Sequence, residues 1–482
     1  MLIFRMSESL SHHLHRLCRP LIAITVLAMA GGCATVSERL AADADAETPV
    51  TDAGYRTGSG EPTSPLPRDW WTLFQDPALD GLIARLNDAN PDVSAALARV
   101  DQSFALLGIT RASQYPTIRG NAALGRRRDS VNNLLFPIAT PEYNRFQLGA
   151  GASWEVDLWG RVRNSVKRDR LRAEAGALDY RQVLLSLQSS LAQQYFAWRS
   201  AGVELSLLRE SHAHELAKLE LEEARLRFGE AVAADVARAR LAVSRSATSL
   251  EASERGAGRL RNAIAVLTGL LPSELSELVE ATSVPAIPAI PAGLPSELLE
   301  RRPDLIAAGR RLRAAAVQVG VRRVDYLPRL TLSGSGGVAS LRAANLFEAN
   351  SGLFDIGPQL EIPIFQGHVA RAAVAQARAQ FREAAAQHRS AFLTAVREVD
   401  DALLDALSYE REIAGHRAAV RSAEEAAAAA KDSHEAGLGS YAAFLTADQT
   451  RLEARARESA VLGEQRLAAV RLIQALGGGW EP

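Results

Sequence analysis

Two long stretches of the chain lack proline, although the chain contains 20 prolines. None falls between Pro141 and Pro272, or between Pro363 and Pro482. Because proline breaks or kinks the interior of a helix, its absence permits long helices. Strong helix formers, mainly Ala, Leu, Arg, Glu and Gln, fill residues 160–271 and 367–481. Each of these stretches is therefore predicted to form a very long helix, a tight turn and a return helix.

The sequence also contains few aromatic residues and few cysteines, and neither sign of charge is in excess. Aromatic residues make up 6% of the 482 residues, which suits an Ala-rich coiled coil better than a large packed core. The 55 Lys and Arg balance 56 Asp and Glu, so the net charge of -1 implies no nucleic-acid or other polyanionic partner. Outside the N-terminus no apolar run reaches the roughly 18 residues of a membrane-spanning helix, and none is expected.

A heptad of mostly apolar residues runs through each proline-free stretch, which indicates helices that supercoil around their neighbours. The first helix of each pair would be about 69 residues and roughly 100 Å long, which favours a rod or tube over a globular core. The heptad positions are Leu184, Leu191, Trp198, Leu205, His212, Leu219 and Leu226 in the first stretch, and Phe392, Val399, Ala406, Ile413 and Val420 in the second.

The N-terminus is typical of a secretion signal. Arginines precede the apolar segment Leu21–Met29, and small residues then lead into Cys33. Small residues directly before a cysteine resemble a bacterial lipobox, which predicts a signal peptide over 1–32, acylation of Cys33, and a tether over 33–68. Ala34 is not the aspartate that retains many lipoproteins in the inner membrane, so the resemblance favours the outer membrane. The alternative is an ordinary signal peptide with an incidental cysteine.

The chain repeats itself at a nearly constant offset. Pro91 and Pro303 stand 212 residues apart, and the turn glycines Gly229 and Gly437 stand 208 apart. A constant offset between ordered landmarks indicates an internal duplication. The predicted repeats are residues 69–271 and 301–478, joined by a proline-rich linker over 272–300. Their predicted strands lie at about 117–127, 146–158, 329–341 and 353–364, and their long hairpins at 160–268 and 367–476.

Four strands per chain cannot close a membrane barrel, so the chain must combine its strands with those of other copies. Two copies would give eight strands and an interior filled by side chains, whereas three would give twelve strands and a channel. The sequence therefore predicts a homotrimer.

Several strings place this chain close to a known family. The opening motif from Trp70 to Ile83 and four later strings resemble outer-membrane efflux lipoproteins of the TolC/OprM/NodT-like type. The later strings are Trp154–Arg161 (WEVDLWGR), Leu299–Asp304 (LERRPD), Tyr326–Pro328 (YLP) and Ile362–Gly367 (IPIFQG).

The resemblance implies a mainly helical fold with a small membrane β part. Three copies would form a twelve-stranded barrel that continues as an α-helical coiled-coil tunnel in the periplasm. The resemblance also implies that the barrel and tunnel form an exit duct through which small molecules are passively exported. The duct would work in complex with a periplasmic adaptor protein and an inner-membrane pump. Two alternatives remain open at this stage: the exit duct of a type I protein secretion system, and a coiled-coil scaffold lipoprotein without a pore.

No catalytic constellation emerges from the sequence, and we expect no enzyme activity, no cofactor and no metal site. The nine histidines are scattered, and His212 and His214, which stand two residues apart, do not share a helix face. The strings Asn90-Pro91-Asp92 and Arg302-Pro303-Asp304 combine residues suited to the start of a helix, which favours a structural role.

The resemblance assigns functional roles to the turns of the two hairpins and to the helix after the second turn. The turns would contact the adaptor protein, and the residues concerned are Gly229, Gly437, Leu438, Gly439 and Ser440. Asp448 would line the narrow periplasmic gate, where threefold symmetry would make it an acidic ring that holds or repels cations. Leu445 stands where some relatives have a second aspartate. The equivalents in the first repeat are Ala237 and Arg240, and Asp448 could also be a solvated helix position.

Replacing Cys33 by serine tests the lipid anchor. Cys18 leaves with the signal peptide, so Cys33 is the single acylation candidate in the mature chain. Metabolic labelling with a radioactive fatty acid should mark the wild type and leave Cys33→Ser unlabelled. Label retained by the variant would contradict the lipoprotein assignment.

Overall fold

The computed structural model describes residues 66–128, 142–275, 290 and 301–479. Cys33, the signal peptide and nearly all of the tether lie outside these residues. The described part is mainly helical. Its helices are α1 (Pro77–Ala89), α2 (Pro91–Ala112), α3 (Arg161–Arg227), α4 (Ala233–Leu267), α5 (Pro303–Val324), α6 (Val369–Glu435) and α7 (Tyr441–Ala475). Its strands are β1 (Thr117–Arg128), β2 (Glu142–Val156), β3 (Arg329–Ser340) and β4 (Gly352–Glu361).

The helix lengths agree with the expectation from the proline-free heptads. Both long helices, α3 and α6, have 67 residues, and both return helices, α4 and α7, have 35. Two strands end earlier than the sequence pattern indicated. Strand β2 stops at Val156 because the side chain of Asp157 turns to accept the amides of Val162 and Arg163 at the start of α3. Strand β4 stops at Glu361, just before Pro363, which has no amide to donate to a strand ladder.

The described residues form two compact units, which are considered separately. The first unit is built from residues 100–128, 142–176 and 307–389, and the second from residues 66–99, 177–275, 301–306 and 390–479. None of the helices in the described residues has an apolar stretch long enough to cross a bilayer.

The first unit contains a four-stranded antiparallel sheet in the order β1-β2-β3-β4. The register brings small residues into close contact at its centre. A side chain on Gly337 would collide with the carbonyl oxygen of Leu148, so glycine is required for β2 and β3 to approach.

One face of the sheet is apolar. Side chains alternate between faces along a strand, and the register places the even-numbered residues of all four strands on one face. Its large side chains are Ile118, Leu124, Phe146, Leu148, Trp154, Val156, Leu330, Leu332, Val338, Phe354, Ile356 and Leu360. Several of them are strongly exposed in the single chain, for example Phe354 at 83% and Ile356 at 78%. The Arg126–Glu142 ion pair (2.9 Å) bounds this face at one end.

The opposite face is polar or lined by small residues, with Leu353 as an exception. It carries Arg119, Asn121, Arg145, Gln147, Thr331, Ser333, Ser335, Asp355, Gln359 and Glu361. A sheet with an exposed apolar face and a polar face needs a different environment on each side.

Two of the family-like strings hold the first unit together. The indole nitrogen of Trp159 donates to the carbonyl oxygen of Pro328 at 2.7 Å, which joins WEVDLWGR to YLP. Within the first string, the guanidinium of Arg161 donates to the carboxylate of Glu155 at 2.8 and 2.5 Å. These strings therefore fix where the strands pass into the helices.

The core of the second unit begins at Trp70. Trp70 and Phe74 are 1% exposed and pack with the apolar stripe of α1 against Tyr195 and Phe196 of α3. At the edge of this core, the phenol of Tyr195 donates to the buried carboxylate of Asp76 at 2.8 Å. The opening string is thus a core element of the second unit.

Each return helix ends beside the start of a shorter helix, and the two junctions match. Helix α4 ends where the side-chain amide of Asn90 donates to the carbonyl oxygen of Leu267 at 2.8 Å. Helix α7 ends where the guanidinium of Arg302 donates to the carbonyl oxygen of Ala475 at 3.0 Å. The two donors stand 212 positions apart and the two acceptors 208, and both contacts satisfy carbonyls that a helix end leaves unpaired.

A glycine with positive φ follows each of these helix ends. Gly269 has φ of +72°, and a side chain there would meet the carbonyl oxygen of Ala89 at 2.5 Å. Gly477 has φ of +93°, and a side chain there would meet the carbonyl oxygen of Arg301 at 2.6 Å. Any residue with a β-carbon would therefore be strained and would clash with backbone.

Gly269→Ala should lower the stability of the protein by about 1–3 kcal/mol, because it combines a left-handed backbone with a clash. Gly415→Ala is a matched control, since Gly415 lies inside α6 and a β-carbon there would meet no atom within 4 Å. The control should stabilise the protein by about 0.5–1 kcal/mol. The midpoints of thermal unfolding of the detergent-solubilised proteins give the comparison. Equal midpoints for the two variants would contradict the role of the junction.

Candidate functional site

The first hairpin turn is a helix C-cap built on Gly229. This glycine has φ of +77°, and a β-carbon placed on it would meet no atom within 4 Å. The amide of Glu230 donates to the carbonyl of Arg225 at 2.8 Å, and the amide of Gly229 donates to that of Leu226 at 3.1 Å. This pair of bonds is the Schellman motif, which ends a helix with a left-handed glycine.

The second turn repeats the motif on Gly437, with φ of +72°. The amide of Leu438 donates to the carbonyl of Ser433 at 2.8 Å. Gly439 has a different role: its φ is not positive, but a side chain there would meet the hydroxyl of Ser433 at 2.7 Å. Ser440 then caps α7, since its hydroxyl accepts the amide of Ala443 at 3.1 Å.

Both turns carry exposed apolar side chains next to their glycines. Phe228 is 81% exposed and Val232 61% in the first turn, and Leu438 is 85% exposed in the second. A tight turn cannot bury such side chains against its own chain. They are available to a partner.

Asp448 and Leu445 are both buried within the single chain, at 7% and 1% exposure. The guanidinium of Arg451 donates to both carboxylate oxygens of Asp448, at 2.5 and 3.2 Å. The Nδ1 atom of His214, on α3, lies 3.3 Å from the same carboxylate. Asp448 is therefore no solvated helix position, and its charge is compensated inside the chain.

Arg451 connects α7 to α3. Its Nη2 atom also donates to Glu210 at 2.7 Å, and the side chain is only 16% exposed. The hydrogen bonds from Arg451 hold the pKa of Asp448 below its ordinary value of 3.8, although burial acts in the opposite direction. The hydrogen bond to Asp448 likewise raises the pKa of Arg451. Both groups remain charged at neutral pH.

The corresponding positions in the first repeat are different. Ala237 is exposed, and Arg240 reaches Glu223 at 2.8 Å across the hairpin while staying 67% exposed. A buried carboxylate paired with a half-buried guanidinium thus occurs in the second hairpin, whereas the ion pair of Arg240 in the first hairpin is at the surface.

Glu210, His214 and Asp448 are also the donors that could hold a metal ion, since their ligand atoms lie within 4.8 Å of one another. Arg451 already bonds two of the three, so a cation would have to displace it. Arg451, Glu210 and His214 were not predicted to lie beside Asp448. The i, i+3 spacing of Asp448 and Arg451 was a signal for the first of them, whereas nothing local pointed to residues more than 230 positions away.

The sequence profile described as "Outer membrane efflux protein" matches residues 82–270 and 294–478, most of the chain. The chain belongs to the outer membrane efflux protein family. This membership agrees with the resemblance carried by the sequence strings.

Individual relatives of the family match along nearly their whole length. The chain is 30% identical to the outer membrane protein OprJ of Pseudomonas aeruginosa over 476 residues, which cover 96% of this chain and 95% of the relative. It is 29% identical over 459 residues to the solvent efflux pump outer membrane protein SrpC of Pseudomonas putida, with 94% and 97% coverage. The solved structure of the outer-membrane channel OprN superposes with a TM-score of 0.80 at 28% identity, covering 90% of this chain and 98% of that one.

Asp448→Asn tests whether the Asp448–Arg451 pair contributes to folding. A carboxylate whose pKa is lowered stabilises the fold above its ordinary pKa, and this stabilisation is lost as the pH falls through the lowered value. The variant should be less stable than the wild type by about 1–3 kcal/mol at pH 7, because Arg451 loses a partner. Its stability should also fall less steeply than that of the wild type when the pH drops below about 4.

Thermal unfolding measured between pH 2 and 7 provides the test. Glu453→Gln is the control, because this residue is on the same helix but is 55% exposed. Parallel pH curves for wild type and Asp448→Asn would show that the pair has no such role.

Proposed function

We propose that this protein is the outer-membrane exit channel of a tripartite efflux system and works as a homotrimer. In this role it passively exports small molecules, in complex with a periplasmic adaptor protein and an inner-membrane pump. The observation that carries the proposal is the sheet with one exposed apolar face and one polar face. Membership of the outer membrane efflux protein family over most of the chain supports the same reading.

The sheet argues for assembly into a closed barrel. In the described residues, β1 and β4 are edge strands, and an edge leaves backbone donors and acceptors unpaired, which a bilayer does not tolerate. Pairing β4 of one copy with β1 of the next removes every edge. Three copies give twelve strands and a channel, with the apolar face toward lipid and the polar face toward water.

The matching helix junctions support a duplicated chain. We take residues 69–271 and 301–478 as the two repeats and 272–300 as the linker between them. Residues 1–32 would be the signal peptide, and residues 33–68 the tether that acylated Cys33 anchors to outer-membrane lipid.

The two hairpin turns are proposed as the surface that contacts the adaptor protein. Gly229 and Gly437 shape the turns, while Gly439 and Ser440 set the start of α7. The exposed Phe228 and Leu438 supply apolar contact area beside them. An interface centred on such side chains and surrounded by polar residues is a common recognition surface.

Asp448 and Leu445 are proposed as elements of the periplasmic gate, with Arg451 as a third. Because Arg451 compensates Asp448 and ties α7 to α3 through Glu210, the resting gate is held by ion pairs within each chain. An open gate would need these pairs to break. The acidic ring that the resemblance implied would then appear only on opening.

The cargo is proposed to be small organic molecules rather than proteins. The solvent efflux named for SrpC supports this choice over the exit duct of a protein secretion system. A scaffold without a pore would not need the two-faced sheet. We assign no chemical step to the chain, in keeping with a transport family.

The purified protein should have the mass of a trimer in detergent and should conduct ions in planar bilayers. A monomer or dimer, or a trimer that conducts neither as the wild type nor as Arg451→Ala, would contradict the channel.

The gate is tested on the same preparation. Arg451→Ala should raise the conductance and expose Asp448 to block by divalent cations added at the periplasmic side. Asp448→Ala should also raise the conductance but leave the pore insensitive to divalent cations, and Leu445→Ala should widen the pore without introducing the block. Arg457→Ala is the control, because Arg457 lies on the same helix with a 72% exposed side chain. Wild-type recordings from both Asp448→Ala and Arg451→Ala would remove these residues from the gate.

A further inference from the structure

The balanced charge of the whole chain conceals a strongly basic region in the first unit. The helical parts of that unit are residues 100–112, 161–176, 307–324 and 369–389. They contain 16 Lys and Arg and only 4 Asp and Glu, although the whole chain has 55 and 56. So strong an excess of one sign raises the local potential and attracts anions.

A polar cleft lies within this region, between α3, α5 and α6. It has a volume of about 270 Å³. Three arginines and three glutamines supply its polar lining, and two alanines complete it. The lining residues are Arg168, Arg172, Gln318, Arg322, Ala373, Gln376, Ala377 and Gln380.

The cleft has a fixed floor and accessible walls. Gln318 is buried, and Arg168, 19% exposed, donates to its side-chain oxygen at 2.7 Å. Arg172 and Arg322 are more open, at 58% and 45%. Arg168 and Gln318 are thus held in place, while the two wall guanidiniums have donors free to reach a ligand.

The positive charge of the cleft is not balanced by its neighbours. Among the described residues, Asp169 pairs with both Arg168 (2.6 Å) and Arg172 (3.6 Å). Asp325 is divided between Arg322 (3.3 Å) and Arg329 (3.5 Å). Four guanidiniums therefore share two carboxylates.

The surroundings of Arg172 lower its pKa. Burial and then the charge of Arg168 lower its pKa, with only partial compensation from Asp169. An anion in the cleft would offset the repulsion between Arg168 and Arg172.

We propose that this cleft binds a phosphate-type oxyanion. Guanidinium groups present several N–H donors in a planar fork that matches phosphate oxygens, and charge-assisted hydrogen bonds of this kind are the strong ones. The carboxamides of Gln376 and Gln380 add neutral donors on the α6 side. The site depends on the fold of the first unit and holds whether or not the chain exports anything.

The phosphate has two possible sources, a free ion and a lipid headgroup. All four strands are joined to their helices at the same end of the sheet, the end at which β1 and β3 begin and β2 and β4 finish. Arg322 stands only seven residues before β3 begins. If the sheet spans a membrane, as the proposed function requires, this end of the strands lies near the phosphate layer of one leaflet. The lipid source rests on that proposal, whereas the free-ion source does not.

Binding of inorganic phosphate to the full-length protein in uncharged detergent tests the site. Isothermal titration should show saturable binding that chloride at equal ionic strength does not reproduce. Arg172→Gln and Arg322→Gln should each weaken binding about 10- to 100-fold, the loss expected for a charged hydrogen bond. Arg170→Gln is the matched control: it lies on the same helix, is 67% exposed and pairs with Glu174, so it should leave binding within about twofold of the wild type.

Three results would overturn the proposal. Phosphate could bind no better than chloride, which would also be the outcome if a second copy covers the cleft in the assembly. The control could weaken binding as much as Arg172→Gln, which would indicate general electrostatics alone. Both cleft variants could bind as the wild type does while remaining folded by circular dichroism.

Native mass spectrometry identifies the source. Anionic phosphatidylglycerol and zwitterionic phosphatidylcholine, whose choline cation balances its phosphate, are offered in mixed micelles, and bound lipids are counted. Loss of phosphatidylglycerol from both cleft variants, together with its displacement by phosphate, identifies the lipid headgroup. Equal lipid binding by wild type and variants identifies the free ion. Neither result depends on conductance, so failure of the channel assignment would be seen separately.

Discussion

A four-stranded sheet with two open edges is the constraint on which the rest of this protein depends. Unpaired backbone groups and an exposed apolar face are both unfavourable in water, and the single chain offers nothing in its described residues to cover them. Even-numbered residues lie opposite even-numbered residues in all three strand pairs, so the apolar face is continuous from β1 to β4. The proposed ring of copies in a bilayer would satisfy every one of these groups at once, because it pairs both open edges and places the apolar face against lipid.

The two helix ends show that one junction geometry can be built from different side chains. Both return helices end in the same way, with a left-handed glycine and a side-chain donor from the helix that starts beside it. The donor is the neutral Asn90 at one junction and the charged Arg302 at the other, and Arg302 is further held by Glu398 at 2.7 Å. The geometry of the junction requires a donor at this point, but it does not require a particular residue.

Charge in this chain is informative only at the scale of a cluster. A net charge of -1 suggested no anionic partner, yet the helical parts of the first unit are strongly basic and surround an under-compensated cleft. The reverse holds for Asp448, which looked like a bare carboxylate in sequence and is neutralised by Arg451 in the structure. Composition averages over regions whose electrostatic environments are separate, because charges interact strongly only over about 10 Å.

The sequence by itself determined the elements that depend on local rules. Proline-free heptads predicted the long helices, Gly229 and Gly437 predicted the turns, and alternating residues predicted the strands, since each of these signals acts within a few positions along the chain. Only the tertiary structure decided which distant residues meet. Arg451 reaches Glu210 across 241 positions, and the cleft joins α3, α5 and α6. Such meetings depend on the rotation and offset of packed helices, and a heptad pattern leaves both open because many registers bury the same apolar stripe.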